Sequence, residues 1–147
     1  MATLAYRLGK VLRNTPAEFR DFRAAQGVRT PGEILAHIGD LMDWALMQVE
    51  GRKAWHDSTS LAWEQEIARF FCAIEALDKR IAAHGLGAAS AEKLFQSAIA
   101  DALTHTGQIA LLRRMAGIAV RPENYAAADI AAGRVGPEQT PPRAEFG

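Results

Sequence analysis

Hydrophobic residues recur along most of the chain at spacings of three and four, the period of a helix that buries one face. The spacing predicts helices over residues 4–13, 30–51, 60–84 and 90–117, and a short helical piece from about 15 to 27. No stretch alternates with the period of two that indicates a β-strand. The pattern therefore predicts an all-α fold, a bundle of four main helices.

Helix-start signals support these limits. The motif Thr-Pro-x-Glu occurs at residues 15–18 and 30–33, with threonine as N-cap, proline at the first helical position and glutamate at the third. Each copy is expected to begin a helix. The third main helix is expected to be capped by Thr59 or Ser60, and the fourth by Ser90.

The fourth helix carries a stripe in which residues are spaced alternately by four and three. Its members are Leu94, Ala98, Asp101, His105, Gln108, Leu112 and Met115. Such a stripe normally faces the core, where polar side chains need partners. A second apolar stripe beside it, through Phe95, Ile99, Ala102 and Ile109, exceeds what one bundle face needs and predicts a homodimer.

The second helix repeats this pattern, with one imidazole on an otherwise apolar line. The line runs through Ile34, His37, Leu41, Trp44 and Gln48. The third helix has an apolar core face on which we expect no buried acid, with Cys72 as a small buried residue. Asp40, His56 and the pair Arg113 and Arg114 are expected to be solvated.

Composition narrows the classes of function. A length of 147 residues fits one domain over 1–147, with an irregular tail over 119–147. The 17 basic residues equal the 17 acidic ones, which argues against a nucleic-acid surface and gives no support to an anionic membrane partner. No apolar run approaches the roughly 18 residues of a membrane span. The single cysteine and the absence of a signal-peptide pattern predict a cytoplasmic protein.

The polar residues of the two stripes are the candidates for a functional site. Asp101 and His105 lie four residues apart, so their side chains meet on one helix face as half of a metal site. In an alternative without metal, Asp101 and His105 pair with each other, and His37 forms a hydrogen bond to a backbone carbonyl. Gln108 either orients a ligand or meets Gln48. No arrangement for nucleophilic catalysis is visible, so the catalytic residues are unknown.

Several of these features together resemble the DinB/YfiT-like metalloenzyme superfamily over nearly the whole chain. They are a lone histidine early in the second helix, His37; the sequence His-Thr-Gly-Gln at 105–108; and a closing segment from Asn124-Tyr125 to Gly136-Pro137. The resemblance implies a four-helix bundle in up-down-down-up order, with a crossover between helices 2 and 3. It also implies three metal ligands, which fall on His37, Asp101 and His105.

The resemblance carries further expectations about chemistry. Asp101 stands where a histidine is commoner, and such a donor set accepts zinc or nickel, or else manganese or iron. Relatives include transferases and isomerases that use low-molecular-weight thiols, so we expect a metal-dependent transferase, isomerase or hydrolase acting on a small molecule. Gln108, Trp44 and Gln48 are the expected pocket residues. The alternative is a non-catalytic helical dimer with a vestigial or structural metal site.

Overall fold

All regular secondary structure in the computed structural model, which describes residues 1–147, is helical. Three helices are α1 (Ala2–Leu12), α2 (Pro31–Val49) and α3 (Trp63–His84). The fourth, which we call α4, consists of three consecutive pieces: α-helical Ala91–Leu94, π-helical Phe95–Ile99 and α-helical Ala100–Met115. A 3₁₀-helix spans Ala17–Asp21, and one isolated β-bridge joins Glu123 to Glu145. The prediction of an all-α fold is confirmed.

The helices share one hydrophobic core. α2 packs most extensively on α3 and also contacts α4, while α1 contacts both α4 and α3. Each of the four helices contributes buried side chains to it, and Val135 adds one from the C-terminal segment. None of the helices is both long enough and apolar enough to cross a membrane.

The predicted start of α2 is confirmed in detail. Thr30 is the N-cap, and its side-chain oxygen accepts a hydrogen bond from the Glu33 amide at 3.2 Å. The Glu33 carboxylate in turn accepts one from the Thr30 amide at 2.7 Å. This capping box satisfies two donors at the helix end and fixes where α2 begins. His37 consequently lies on the second turn.

Two other predicted caps are wrong. Thr15 does not cap a helix, because its hydroxyl donates to the Leu12 carbonyl and accepts from the Trp63 indole at 2.7 Å. Pro16 is the N-cap of the short 3₁₀-helix instead. α3 begins after Ala62 rather than after Thr59 or Ser60, and the Ser60 carbonyl and hydroxyl accept hydrogen bonds from Arg20 instead.

The buried side of α4 differs from the predicted stripe by about one residue. Leu94, Ala98 and Leu112 of the predicted stripe are buried, but steps of four from Leu94 to Thr106 make Ala102, Thr106 and Ile109 the buried positions in place of Asp101, His105 and Gln108. A π-helical turn holds one residue more than an α-helical turn, which explains the wider steps. Asp101 and His105 therefore lie along the edge of the buried side, while Gln108 and Met115 are exposed.

This shift also weakens the reason for expecting a homodimer. Ala102 and Ile109 belong to the buried side of α4 and are completely inaccessible within one chain. Of the second apolar stripe only Phe95 is strongly exposed, at 61%. The homodimer stays a prediction, with fewer residues to suggest it.

The C-terminal segment is attached to α1 through a buried carboxylate. Glu123 accepts hydrogen bonds from the Tyr6 hydroxyl and the Lys10 ammonium, both at 2.9 Å, and from the Arg143 amide at 3.1 Å. Lys10 also pairs with Glu145 at 2.9 Å. Burial, followed by the bond to Glu123, raises the pKa of Tyr6 to about 12. These contacts hold the irregular segment on the helices.

Acid should release this segment. Burial alone would raise the pKa of Glu123, but hydrogen bonds from Lys10 and Tyr6 outweigh it and lower that pKa from 4.5. A carboxyl with a depressed folded pKa stabilises the fold above its unfolded pKa, and this contribution is lost as pH falls through the folded pKa. When the pH is lowered to about 4 and beyond, we expect the amide protection factors of residues 119–147 to decrease. Those of α2 should decrease only at lower pH. Protection that stays unchanged from pH 7 to pH 3 would contradict this.

Candidate metal centre

Three side chains from two helices converge at one edge of the molecule. His37 comes from the second turn of α2, and Asp101 and His105 come from adjacent turns of α4. One carboxylate oxygen of Asp101 lies 3.6 Å from Nε2 of His37, and the other lies 3.5 Å from Nε2 of His105. The two imidazole rings meet edge to face, with centroids 4.8 Å apart. One donor atom from each residue lies within 4.8 Å of the others.

These distances are typical of side chains that bind one metal ion together, and they are too long for direct hydrogen bonds between the side chains. The gaps of 3.5 and 3.6 Å exceed the normal hydrogen-bond range of about 2.7–3.2 Å. They are close to the roughly 3.4 Å that separates two ligands of a tetrahedral ion with bonds of about 2.1 Å. The donor set of two imidazoles and one carboxylate therefore fits a divalent transition metal, with His37, Asp101 and His105 as the residues that would hold it.

Gln108 orients one of the imidazoles. Its side-chain oxygen lies 2.7 Å from Nδ1 of His105. Because an amide oxygen only accepts, this contact places the proton on Nδ1 and leaves the Nε2 lone pair directed to Asp101. Fixing the tautomer of a ligating histidine in this way is the usual role of an outer hydrogen bond at metal sites. The alternative contact between Gln108 and Gln48 does not occur.

The environment of His37 favours the neutral form of its imidazole. Burial is the largest cause that lowers its pKa, followed by the charges of His105 and Arg29, against the opposing effect of Asp101. Trp55, from the connection between α2 and α3, lies edge to face with the ring, centroids 5.7 Å apart. A neutral imidazole offers a lone pair to a metal ion, so this environment suits a ligand.

Three cavities adjoin the three side chains. Asp101 lines one of about 520 Å³, His105 lines one of about 510 Å³, and His37 lines a polar one of about 330 Å³. The Asp101 side chain remains 46% exposed, whereas those of His37 and His105 are 22% and 13% exposed. The arrangement is open on the carboxylate side, where a small molecule has room to approach.

The two other predicted pocket residues have different positions. Trp44 lines the cavity of Asp101, together with Trp55. Gln48 does not line any of the three cavities, and its amide donates to the Arg52 carbonyl at 3.3 Å. Gln48 is eleven residues beyond His37, a rise of about 16 Å along the helix, so a shared stripe does not bring it to the same site.

A second group of possible ligands lies beside the first. Asp40, Asp43 and His56 each place a donor atom near a common point, but Nη2 of Arg69 lies there, at 2.5, 2.8 and 3.5 Å from them. The guanidinium neutralises both carboxylates, so this group is an ion network rather than a metal site. The expectation that Asp40 is solvated is wrong: it is 2% exposed and also accepts two hydrogen bonds from Ser58. His56 is exposed, as expected, and its Nε2 lies 3.1 Å from a carboxylate oxygen of Asp40.

Three other expectations about single residues are wrong. Glu66 is an acid on the core face of α3 and is completely buried; its Oε1 accepts from the Leu61 amide, and its Oε2 has no hydrogen-bond partner but lies 3.7 Å from Arg69. Arg113 is buried and donates to the carbonyls of residues 11, 13 and 118, and burial lowers its pKa. Cys72 is exposed. Apolar periodicity alone did not separate these residues from their neighbours.

Sequence reasoning also missed two residues next to the candidate ligands, Arg29 and Trp55. Arg29 lines both the cavity of His105 and that of His37. Its position directly before the Thr30 cap was the only local signal. Trp55 lies in a connection without periodicity, so only the fold places it against His37. No protein-family model, curated protein or solved structure matches the chain.

Proposed function

We propose that the chain is a DinB-like metal-binding protein and a divalent-metal-dependent enzyme, a thiol-dependent transferase or isomerase or else a hydrolase acting on a small molecule. The observation that carries this proposal is the convergence of His37, Asp101 and His105. Three nitrogen and oxygen donors from two helices lie within 4.8 Å of one another beside open cavities. Such a partial ligand set leaves coordination positions for other molecules.

The same proposal includes a four-helix bundle in up-down-down-up order with a crossover between α2 and α3. Contacts between the middles and the ends of helices support it. The Arg69 guanidinium lies against Gly39, and Gly87, just after α3, lies against the Val49 carbonyl at the end of α2. Such pairing suits α2 and α3 running in the same direction. The residues between them, 50–62, then serve as the crossover.

A bound divalent ion would act as a Lewis acid and lower the pKa of a thiol or a water molecule. His37, Asp101 and His105 would hold it, and Gln108 would keep His105 in the required tautomer. Trp44 and Trp55 give the cavity next to Asp101 an aromatic wall. The two larger cavities offer space for two small molecules, as transfer between a thiol and an acceptor requires.

Metal binding tests the proposal directly. We expect the protein, prepared without chelators or an affinity tag, to retain zinc or nickel at one equivalent per chain. Removing the metal with a chelator should lower the melting temperature, because an ion that binds only the folded state stabilises it. Inductively coupled plasma mass spectrometry and calorimetry measure both. If no metal is retained, and zinc, nickel and manganese cause no thermal shift, the proposal is wrong.

The second candidate function, a non-catalytic dimer with a structural or vestigial metal site, predicts a closed coordination shell. The 46% exposure of Asp101 favours the enzyme. Water-proton relaxation of the manganese-loaded protein separates the two, since only an ion with an open position exchanges water rapidly with the solvent.

A further inference from the structure

The cavity beside His105 has an apolar wall that is open to solvent. Val28, Leu111 and Met115 line it, and they are 39%, 58% and 55% exposed. These three are among the few large hydrophobic side chains that the chain leaves in contact with water. At about 510 Å³, the cavity has the size that small-molecule sites usually have. An apolar group that entered it would remove this wall from water.

One charged residue lines this cavity, Arg29, and no carboxylate does. The Arg29 side chain makes no hydrogen bond and no ion pair within the chain, although neighbouring Arg23 bonds both Val28 and Glu33. Arg29 also lines the polar cavity of His37, so its side chain stands where the apolar wall meets the candidate metal ligands. A guanidinium in this position is ready to bind an anion, and its planar fork matches a carboxylate.

The two neighbouring cavities lack this combination. The one next to Asp101 carries a carboxylate and no cation, and the one next to His37 has no hydrophobic residue in its lining. A ligand with both a hydrocarbon part and a negative charge is therefore accommodated best in the cavity of His105. Neutral hydrocarbons would leave Arg29 without a partner, and small polar anions would leave the apolar wall in water.

We propose that the cavity of Val28, Leu111 and Met115 binds the hydrocarbon part of an amphipathic carboxylate, whose carboxylate group pairs with Arg29 beside His37 and His105. The inference rests on the proposed function, because it places the acceptor substrate next to the metal ligands, and it names the class of that substrate. Arg29 anchors the carboxylate end beside His37 and His105, and the apolar wall holds the hydrocarbon part in one orientation.

Octanoate is a suitable probe. Octanamide is the control that has the same hydrocarbon chain without the negative charge, and acetate is the control that has the charge without the chain. Isothermal titration of the zinc-loaded 147-residue chain should give saturable binding of octanoate and none of acetate. Arg29→Gln should weaken octanoate binding by about tenfold or more, the effect of losing one charged hydrogen-bond partner. It should leave the weaker binding of octanamide unchanged. Arg114→Gln, which removes an arginine of α4 outside this cavity, should have no effect on octanoate.

Leu111→Asn tests the apolar wall at an exposed position where folding is not at risk. We expect it to weaken octanoate and octanamide by the same factor. Absence of octanoate binding, or an Arg29→Gln variant that binds both probes as the parent does, overturns the inference. So does a Leu111→Asn variant that turns a dimer into a monomer while octanoate fails to bind, because the face would then be an interface between copies.

Metal content measured on the same samples distinguishes a failure of this inference from a failure of the proposed function. Zinc bound at one equivalent without octanoate binding overturns the substrate class alone. Arg29-dependent binding of octanoate to a protein that holds no zinc supports the cavity as a carboxylate site and overturns the metal-dependent function.

Discussion

Asp101→Ala should lower the affinity of the protein for zinc by roughly 100-fold or more while the helices stay folded. Removing a group that only orients a ligand already costs about 10–100-fold in metal affinity, and Asp101 is proposed as a ligand itself. The side chain is 46% exposed and makes no hydrogen bond at normal distance to either histidine, so its loss leaves no unpaired buried group. Zinc competition with a chromophoric chelator, together with thermal unfolding, measures both quantities.

Two variants make this test specific. Asp101→His should retain zinc, because an imidazole replaces one metal-binding donor with another. Glu92→Ala removes an exposed acid from the first turn of α4 and should change neither zinc affinity nor stability. A chain whose Asp101→Ala variant binds zinc as tightly as the parent does not use Asp101 as a ligand. A melting temperature well below that of the metal-free parent would instead indicate that Asp101 and His105 stabilise the fold by pairing with each other.

Arg69→Met should lower the free energy of unfolding by about 3 kcal/mol or more. The guanidinium bonds the Ala36 carbonyl and the carboxylates of Asp40 and Asp43, and it lies 3.7 Å from Glu66. Asp40 and Glu66 are buried, at 2% and 0% exposure, so methionine would leave both without a cation. Burial alone would raise the pKa of Asp40, but the bonds from Ser58 and Arg69 lower it. Urea unfolding at pH 7 measures the loss.

Lys79→Met is the matched control on the same helix. Lys79 is 78% exposed and pairs with Glu75 across one turn, a contact that solvent weakens. Its replacement should cost less than about 1 kcal/mol. Equal losses for the two variants would mean that the network around Arg69 contributes no more than a surface ion pair. Because Asp40 follows His37 by one turn, we also expect Arg69→Met to weaken zinc binding slightly.

The sequence was sufficient for those features that depend on neighbours along the chain. The period of the hydrophobic residues predicted an all-helical chain, and the Thr30 motif predicted the start of α2 to the residue, since a capping box involves only four consecutive positions. The four-residue spacing of Asp101 and His105 likewise predicted that their side chains lie on one face of α4. That His37 is their third partner came from the family resemblance.

Tertiary structure decided the features that depend on contacts between distant segments. Thr15 has the same motif as Thr30, yet the indole of Trp63, 48 residues away, donates a hydrogen bond to the Thr15 hydroxyl. Thr15 therefore does not form the predicted cap. The extra residue of the π-helical turn moved Asp101 from the expected core to an accessible edge, which no count at a fixed period could reveal. Asp40 is buried only because Arg69 and Ser58 reach it from other segments. Local patterns fix which residues form a helix, but partners from elsewhere in the chain determine which polar side chains are buried.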